Sequence, residues 1–169
     1  DMSGSIGPQG SSPSNLPAMQ SGINGFVTNY ASSGSGLYSG TKFNGDLGGN
    51  EDPITAGFVA GGTFQLAVTA LAGPSGLTPT AAGVGGGVSN NANDRPAAPN
   101  MMFVVTDGSP NVPPGSPLTD PDTWVTAATA AINAANTART SYAVRALYVS
   151  AVGDPGDTNL PFNAQDDAK

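Results

Sequence analysis

The chain contains no cysteine and no histidine. Without cysteine there is no disulfide, no thiolate metal site and no sulfur nucleophile. Without histidine there is no Ser-His-Asp triad and no imidazole-based zinc site. Basic residues are few, five Lys and Arg against twelve Asp and Glu, for a formal net charge of −7. Those five are scattered, so no patch exists to displace counterions from a phosphate backbone, and nucleic acid is excluded as a partner. An anionic membrane surface repels such a chain. No apolar run approaches the ~18 residues of a bilayer span, so membrane insertion is not expected. Strong core formers are thin too, with Leu, Ile, Val and Phe making up about 18% of the residues.

Backbone punctuation is abundant, with 24 Gly and 15 Pro in 169 residues. A low apolar share signals disorder mainly when net charge is high. Here the charge is modest and the apolar residues come in short dense runs. One folded domain is expected, with long polar loops and a core padded by Ala. The Gly/Ser/Thr/Asn/Pro-rich, Lys-poor composition suits an extracellular or cell-surface protein.

From Leu16 to Tyr30 the apolar residues Leu16, Met19, Ile23, Phe26, Val27 and Tyr30 recur every three or four positions. That spacing predicts a helix, with Ser14 or Asn15 as its N-cap. Leu37 to Phe43 reads as a strand ended by the Asn44-Gly45-Asp46 turn, Gly48 to Pro53 as a loop, and Ile54 to Ala60 as an edge strand. A short helix is expected over Phe64 to Leu71, before the Gly73-Pro74 break. A weaker helix opens at Thr78-Pro79-Thr80 and runs to Val88, despite Gly83, Gly85, Gly86 and Gly87, each costing about 1 kcal/mol relative to Ala. Met101 to Val105 reads as a central strand buried on both faces. Asp120 or Asp122 caps a long helix to Thr140, on which Trp124 is a packing residue, and Val144 to Val152 is a second strand. The alternation of strand and helix predicts an α/β protein with an open, mostly parallel, Rossmann-like sheet flanked by helices.

Three short motifs fall at turns: Asp1-Met2-Ser3-Gly4-Ser5, Gly76-Leu77-Thr78 and Thr106-Asp107-Gly108. In an open α/β sheet the loops at strand C-termini converge on one site. The groups offered there are two carboxylates and three hydroxyls. Hard cations take such all-oxygen sets, and Mg²⁺ keeps several waters beside few protein carboxylates. The four late aspartates Asp154, Asp157, Asp166 and Asp167 lack the EF-hand spacing and read as solvated. Gly83 to Gly87 does not follow a strand as G-x-G-x-x-G, and no Walker lysine exists, so nucleotide binding is not expected.

Asp1-Met2-Ser3-Gly4-Ser5 resembles the D-x-S-x-S element of the metal-ion-dependent adhesion site in von Willebrand factor type A (vWA) domains. Thr106-Asp107-Gly108 is similar to the T-D-G of that family, and Gly76-Leu77-Thr78-Pro79-Thr80 to its G-G-T-x-T loop, with Leu77 in place of the second Gly. Gly61-Gly62-Thr63 is a rival for that loop, so Thr63 competes with Thr78. The resemblance implies a divalent cation, Mg²⁺ first and Mn²⁺ or Ca²⁺ as alternatives, held by Asp1, Ser3, Ser5, Thr78 and Asp107. It further implies an open coordination position for an acidic side chain of a protein partner. Family members carry an apolar strand immediately before the first Asp and further elements after the last strand. The resemblance therefore implies that residues 1–169 are an excerpt of a longer protein, or a piece that pairs with other segments of the same protein or assembly.

The expected function is a non-enzymatic, cation-dependent protein-binding or adhesion module. The runner-up is a structural component of an extracellular fibre or stalk whose metal only rigidifies the fold. A metal-assisted hydrolase ranks below both, because no general base stands beside the motifs.

Overall fold

A computed structural model describes residues 1–8, 13–31, 36–45, 50–106, 121–141 and 144–151. After a 3₁₀ turn at Gly4–Ile6 come α1 (Leu16–Ala31), β1 (Leu37–Tyr38), β2 (Thr41–Asn44), β3 (Asn50–Pro53), β4 (Val59–Ala60), α2 (Gly61–Thr69), α3 (Thr80–Ser89), β5 (Asn100–Thr106), α4 (Pro121–Ser141) and β6 (Val144–Ala151).

Local sequence chemistry accounts for most of these elements. The Leu16 N–H donates to Ser14 Oγ at 3.2 Å, and Asn15 O accepts from Met19 N, so Ser14 caps α1. One stripe of α1 buries Met19 and Val27. In α2, Phe64 and Val68 stand four apart and are buried together against Val27, with Tyr38, Ile54 and Val59 around them. Gln20 on α1 reaches the carbonyls of Val68, Thr69 and Leu71, oxygens left without intrahelical partners where α2 ends. The Gly73 break is a left-handed residue, φ +67°.

The core is divided. Phe43, Val84, Val104, Ala138 and Val144 form one buried cluster, and Met2, Ile6 and Met19 a second. The third is the Val27–Phe64–Val68 group between α1 and α2. A chain with few large apolar residues fills several small cores rather than one large one.

The strands correct the expected sheet. Among the described residues an open, mostly parallel, Rossmann-like sheet is not formed. Among the described residues there are three two-stranded sheets: β1–β4 antiparallel, β2–β3 antiparallel, and β5–β6 parallel. Two physical causes separate them. The expected strand over Leu37 to Phe43 bends at Ser39–Gly40, where Gly40 N donates to Thr55 Oγ1 and Gly40 O accepts from Ile54 N and Asn90 Nδ2. That redirects β1 and β2 into different pairs. Between β2 and β5 lies a groove instead of a ladder, bridged at one end by the first two residues. There Asp1 N donates to Val105 O at 2.9 Å and Met2 N to Phe43 O at 2.8 Å. A central position for β5 is corrected with it. Its one strand partner among the described residues is β6, and Met101 and Phe103 are 41% and 42% exposed.

Two smaller differences follow from chain-distant contacts. Asn50–Pro53, expected as loop, pairs with β2 as β3, with Lys42 opposite Asp52 in an ion pair of 3.4 Å. Of the expected edge strand Ile54 to Ala60, only Val59–Ala60 is strand.

Candidate functional site

The Asp1–Ser5 segment is fixed from three directions. Its backbone is clasped between β2 and β5 as described. Met2 O accepts from Ser75 N at 2.8 Å, and Gly4 N donates to Gly76 O at 2.9 Å, which joins the turn to the Gly76–Thr78 loop. That loop is held in turn by Leu77 N donating to Gly45 O at 2.8 Å. Gly76 has φ +79°, and a Cβ there would stand 2.9 Å from the Gly45 nitrogen, so both backbone shape and space favour glycine.

Side chains complete the arrangement. The Asp1 carboxylate accepts from the Ser3 N–H at Oδ1, 2.8 Å, and from Thr106 Oγ1 at Oδ2, 2.6 Å. The Ser3 and Ser5 hydroxyls share a hydrogen bond of 2.9 Å. Asp1, Ser3 and Thr78 are 8%, 1% and 2% exposed, whereas Ser5 is half-buried. Thr78 precedes Pro79, itself fully buried, at the start of α3.

The structure therefore gathers Asp1, Ser3 and Ser5 in one turn and hydrogen-bonds that turn to the loop carrying Thr78. Thr63 is exposed in the first turn of α2, and among the described residues no backbone hydrogen bond ties that turn to Asp1–Ser5. Asp107 lies outside the described residues, as do Asp154, Asp157, Asp166 and Asp167. Among the described residues no group of three or more Asp or Glu side chains converges. Among the described residues the oxygens gathered here are the Asp1 carboxylate and the hydroxyls of Ser3, Ser5 and Thr106.

The donor chemistry fits a small hard cation. Oxygen ligands of Mg²⁺ stand at about 2.0–2.1 Å, so two at right angles are about 2.9 Å apart. Ser3 Oγ and Ser5 Oγ stand at that separation, which is also the length of the hydrogen bond between them. The Asp1 carboxylate, already accepting two hydrogen bonds, is suited to act through a water as well as directly. Sequence reasoning missed Thr106 as a working residue, although it stands in the Thr106-Asp107-Gly108 motif. Its hydroxyl is what holds the Asp1 carboxylate to the end of β5. Asn90 was missed too: it accepts from Gly57 N through Oδ1 and donates to Gly40 O, tying the end of α3 to the β1–β2 bend.

No protein-family model, curated protein or solved structure matches this chain. Among the described residues no helix is long and apolar enough to cross a membrane.

Proposed function

We propose that the Asp1–Ser5 turn, the Thr78 loop and the end of β5 form a divalent-cation site, through which the chain binds an acidic side chain of a protein partner. Asp107 follows Thr106 directly in the chain and is assigned to the same site from its motif. The observation that carries the reading is the convergence of the Asp1 carboxylate with the Ser3, Ser5 and Thr106 hydroxyls at one turn. The cation acts as a Lewis-acidic bridge, with no bond made or broken in the partner. The Gly/Ser/Thr/Asn/Pro-rich, Lys-poor composition makes the expected setting extracellular or a cell surface.

A second reading is favoured by one observation, the near-complete burial of Asp1, Ser3 and Thr78. A cation among buried oxygens serves to stiffen three converging segments, as in a fibre or stalk component. Half-buried Ser5 marks the side from which a partner carboxylate would approach.

Calorimetric titration of Mg²⁺ or Mn²⁺ into the 169-residue chain tests the site. Saturable binding is expected, weakened about tenfold, or roughly 1.4 kcal/mol, by Ser5→Ala. Absence of binding by a folded chain, or an unchanged affinity in Ser5→Ala, rejects it. Melting curves with and without chelator, run beside titration of an acidic peptide, separate the two readings. A cation-raised midpoint without peptide binding selects the structural one.

A further inference from the structure

Two Asn-Gly pairs occur in the chain, Asn24-Gly25 and Asn44-Gly45, and the fold treats them differently. In such a pair the backbone nitrogen of the glycine can attack the side-chain amide, since glycine has no Cβ to crowd the five-membered ring that forms. Asn24-Gly25 lies in the middle of α1, where each N–H is committed to the carbonyl four residues earlier. Asn24 Nδ2 also donates to Thr69 Oγ1 at 3.1 Å, and Asn24 O accepts from Gln65 Nε2 at 3.0 Å and from Thr28 Oγ1 at 2.9 Å. Asn44, by contrast, is the half-buried last residue of β2, paired with Asn50 where the ladder stops, and Gly45 follows with φ +126°. A helix interior opens only with its helix, whereas the end of a two-stranded ladder frays at little cost.

The hydrogen bonds around Asn44 lead straight to the first residues of the chain. Asn44 Nδ2 donates to Ser75 O at 3.1 Å. Ser75 N donates in turn to Met2 O at 2.8 Å, and Met2 N to the carbonyl of Phe43, the residue before Asn44. One step along, Leu77 N donates to Gly45 O at 2.8 Å and Gly4 N to Gly76 O at 2.9 Å. Asn44 and Gly45 therefore hold the Ser75–Leu77 loop by one side-chain bond and one main-chain bond. That loop, bonded to Met2 and Gly4, holds the Asp1–Ser5 turn.

We propose that Asn44 is a deamidation site and that its conversion loosens the Asp1–Ser5 turn, a one-way timer driven by water. The Gly45 nitrogen, on losing its proton, bonds to Asn44 Cγ; the Cγ–Nδ2 bond breaks, and Nδ2 leaves as ammonia with a proton from solvent. Water then opens the succinimide ring. Cleavage between Cγ and the ring nitrogen gives aspartate. Cleavage between the main-chain carbonyl carbon and that nitrogen gives isoaspartate, whose backbone runs through Cβ and Cγ and is one carbon longer. One water is consumed, one ammonia is released, and nothing is oxidised or reduced. Both products have lost Nδ2, and a carboxylate accepts hydrogen bonds but cannot donate to Ser75 O. The longer isoaspartyl backbone also shifts Gly45 O away from Leu77 N. The added negative charge falls beside Glu51 and Asp52 of β3, in a chain already at −7. The inference concerns the hydrogen-bonded clasp and stands whether or not a cation binds there.

The test ages the folded 169-residue chain in mildly alkaline buffer and follows each asparagine by peptide mapping with mass spectrometry. Asn44 is expected to convert roughly tenfold or more faster than Asn24, and the two to converge in concentrated urea, where neither has a fold to hold it. Equal rates in the folded chain overturn the proposal. So does an Asn44 that stays intact over a time in which the urea-unfolded chain converts. Hydrogen exchange then reads the consequence. In Asn44→Asp the amides of Gly4, Ser75 and Leu77 should exchange about tenfold faster than in the parent chain, with those of α1 and α2 unchanged. The aged parent chain, separated by its extra charge on an ion-exchange column, gives the same reading if Asn44→Asp does not fold. Unaltered exchange at Gly4 and Ser75 in the converted chain overturns the link between Asn44 and the turn.

Discussion

Tyr38 illustrates how one polar atom is tolerated at a cost. Its hydroxyl is buried with no hydrogen-bond partner among the described residues, and its ring stacks on Phe64 with centroids 5.8 Å apart. Burial pushes the phenol pKa above its ordinary value of 10.0, and Tyr30 adds to the shift. The sign follows from linkage. As pH rises through 10 the unfolded chain releases this proton first, so the native state then holds more protons and stability falls. Tyr38→Phe is expected to flatten that alkaline loss in urea titrations from pH 8 to 11. At neutral pH it should be neutral or stabilising, by up to about 1 kcal/mol, because no hydrogen bond is given up. A steeper alkaline loss in the Phe variant would contradict this account.

At the scale of elements, α3 carries the clearest consequence of small side chains. A Cβ on Gly83 would overlap the Phe43 ring, and one on Gly86 would stand 2.9 Å from the side chains of Thr41 and Glu51. The missing side chains let α3 lie flush on β2 and β3. Gly85, by contrast, faces open space within 4 Å. Gly83→Ala is therefore expected to destabilise by about 1–3 kcal/mol through overpacking, and Gly85→Ala to stabilise by about 0.5–1 kcal/mol through helix propensity. Thermal melts of the two variants should move in opposite directions. The helix itself was legible from its Thr78-Pro79-Thr80 opening, but the reason for Gly83 lay in β2, forty residues away. The same division holds elsewhere. The α1 periodicity, the apolar run of β5 and the Asp1-Met2-Ser3-Gly4-Ser5 turn are local signals and could be read directly. β3 was hidden because Asn50-Glu51-Asp52-Pro53 has no apolar alternation and is strand only through its pairing with β2. Thr106 was visible as part of a motif, yet its bond to Asp1 depends on two ends of the sequence meeting. The arrangement of strands into three separate pairs had no local signature at all.

For the molecule as a whole, the clasp at Asp1 sets an order of events. The bonds from Asp1 to Val105 and to Thr106 join residues 104 and 105 apart in sequence. Closing so large a loop is entropically costly, whereas α1 with α2, and β2 with β3, close within a few tens of residues. The clasp should accordingly form after the transition state for folding. Thr106→Val, which removes the donor to the Asp1 carboxylate, is expected to leave the folding rate nearly unchanged and to speed unfolding about fivefold or more, the partition of a contact absent from the nucleus. Stopped-flow measurements on both limbs of the denaturant dependence would show it, and a slowed folding limb would refute it. On a ribosome the same topology imposes a wait. The residues of the Asp1–Ser5 turn are made about a hundred residues before β5 and cannot be seated until Thr106 has left the exit tunnel, so a nascent chain carries its β2 edge and the Asp1 and Met2 nitrogen donors uncovered while more than a hundred residues are being added.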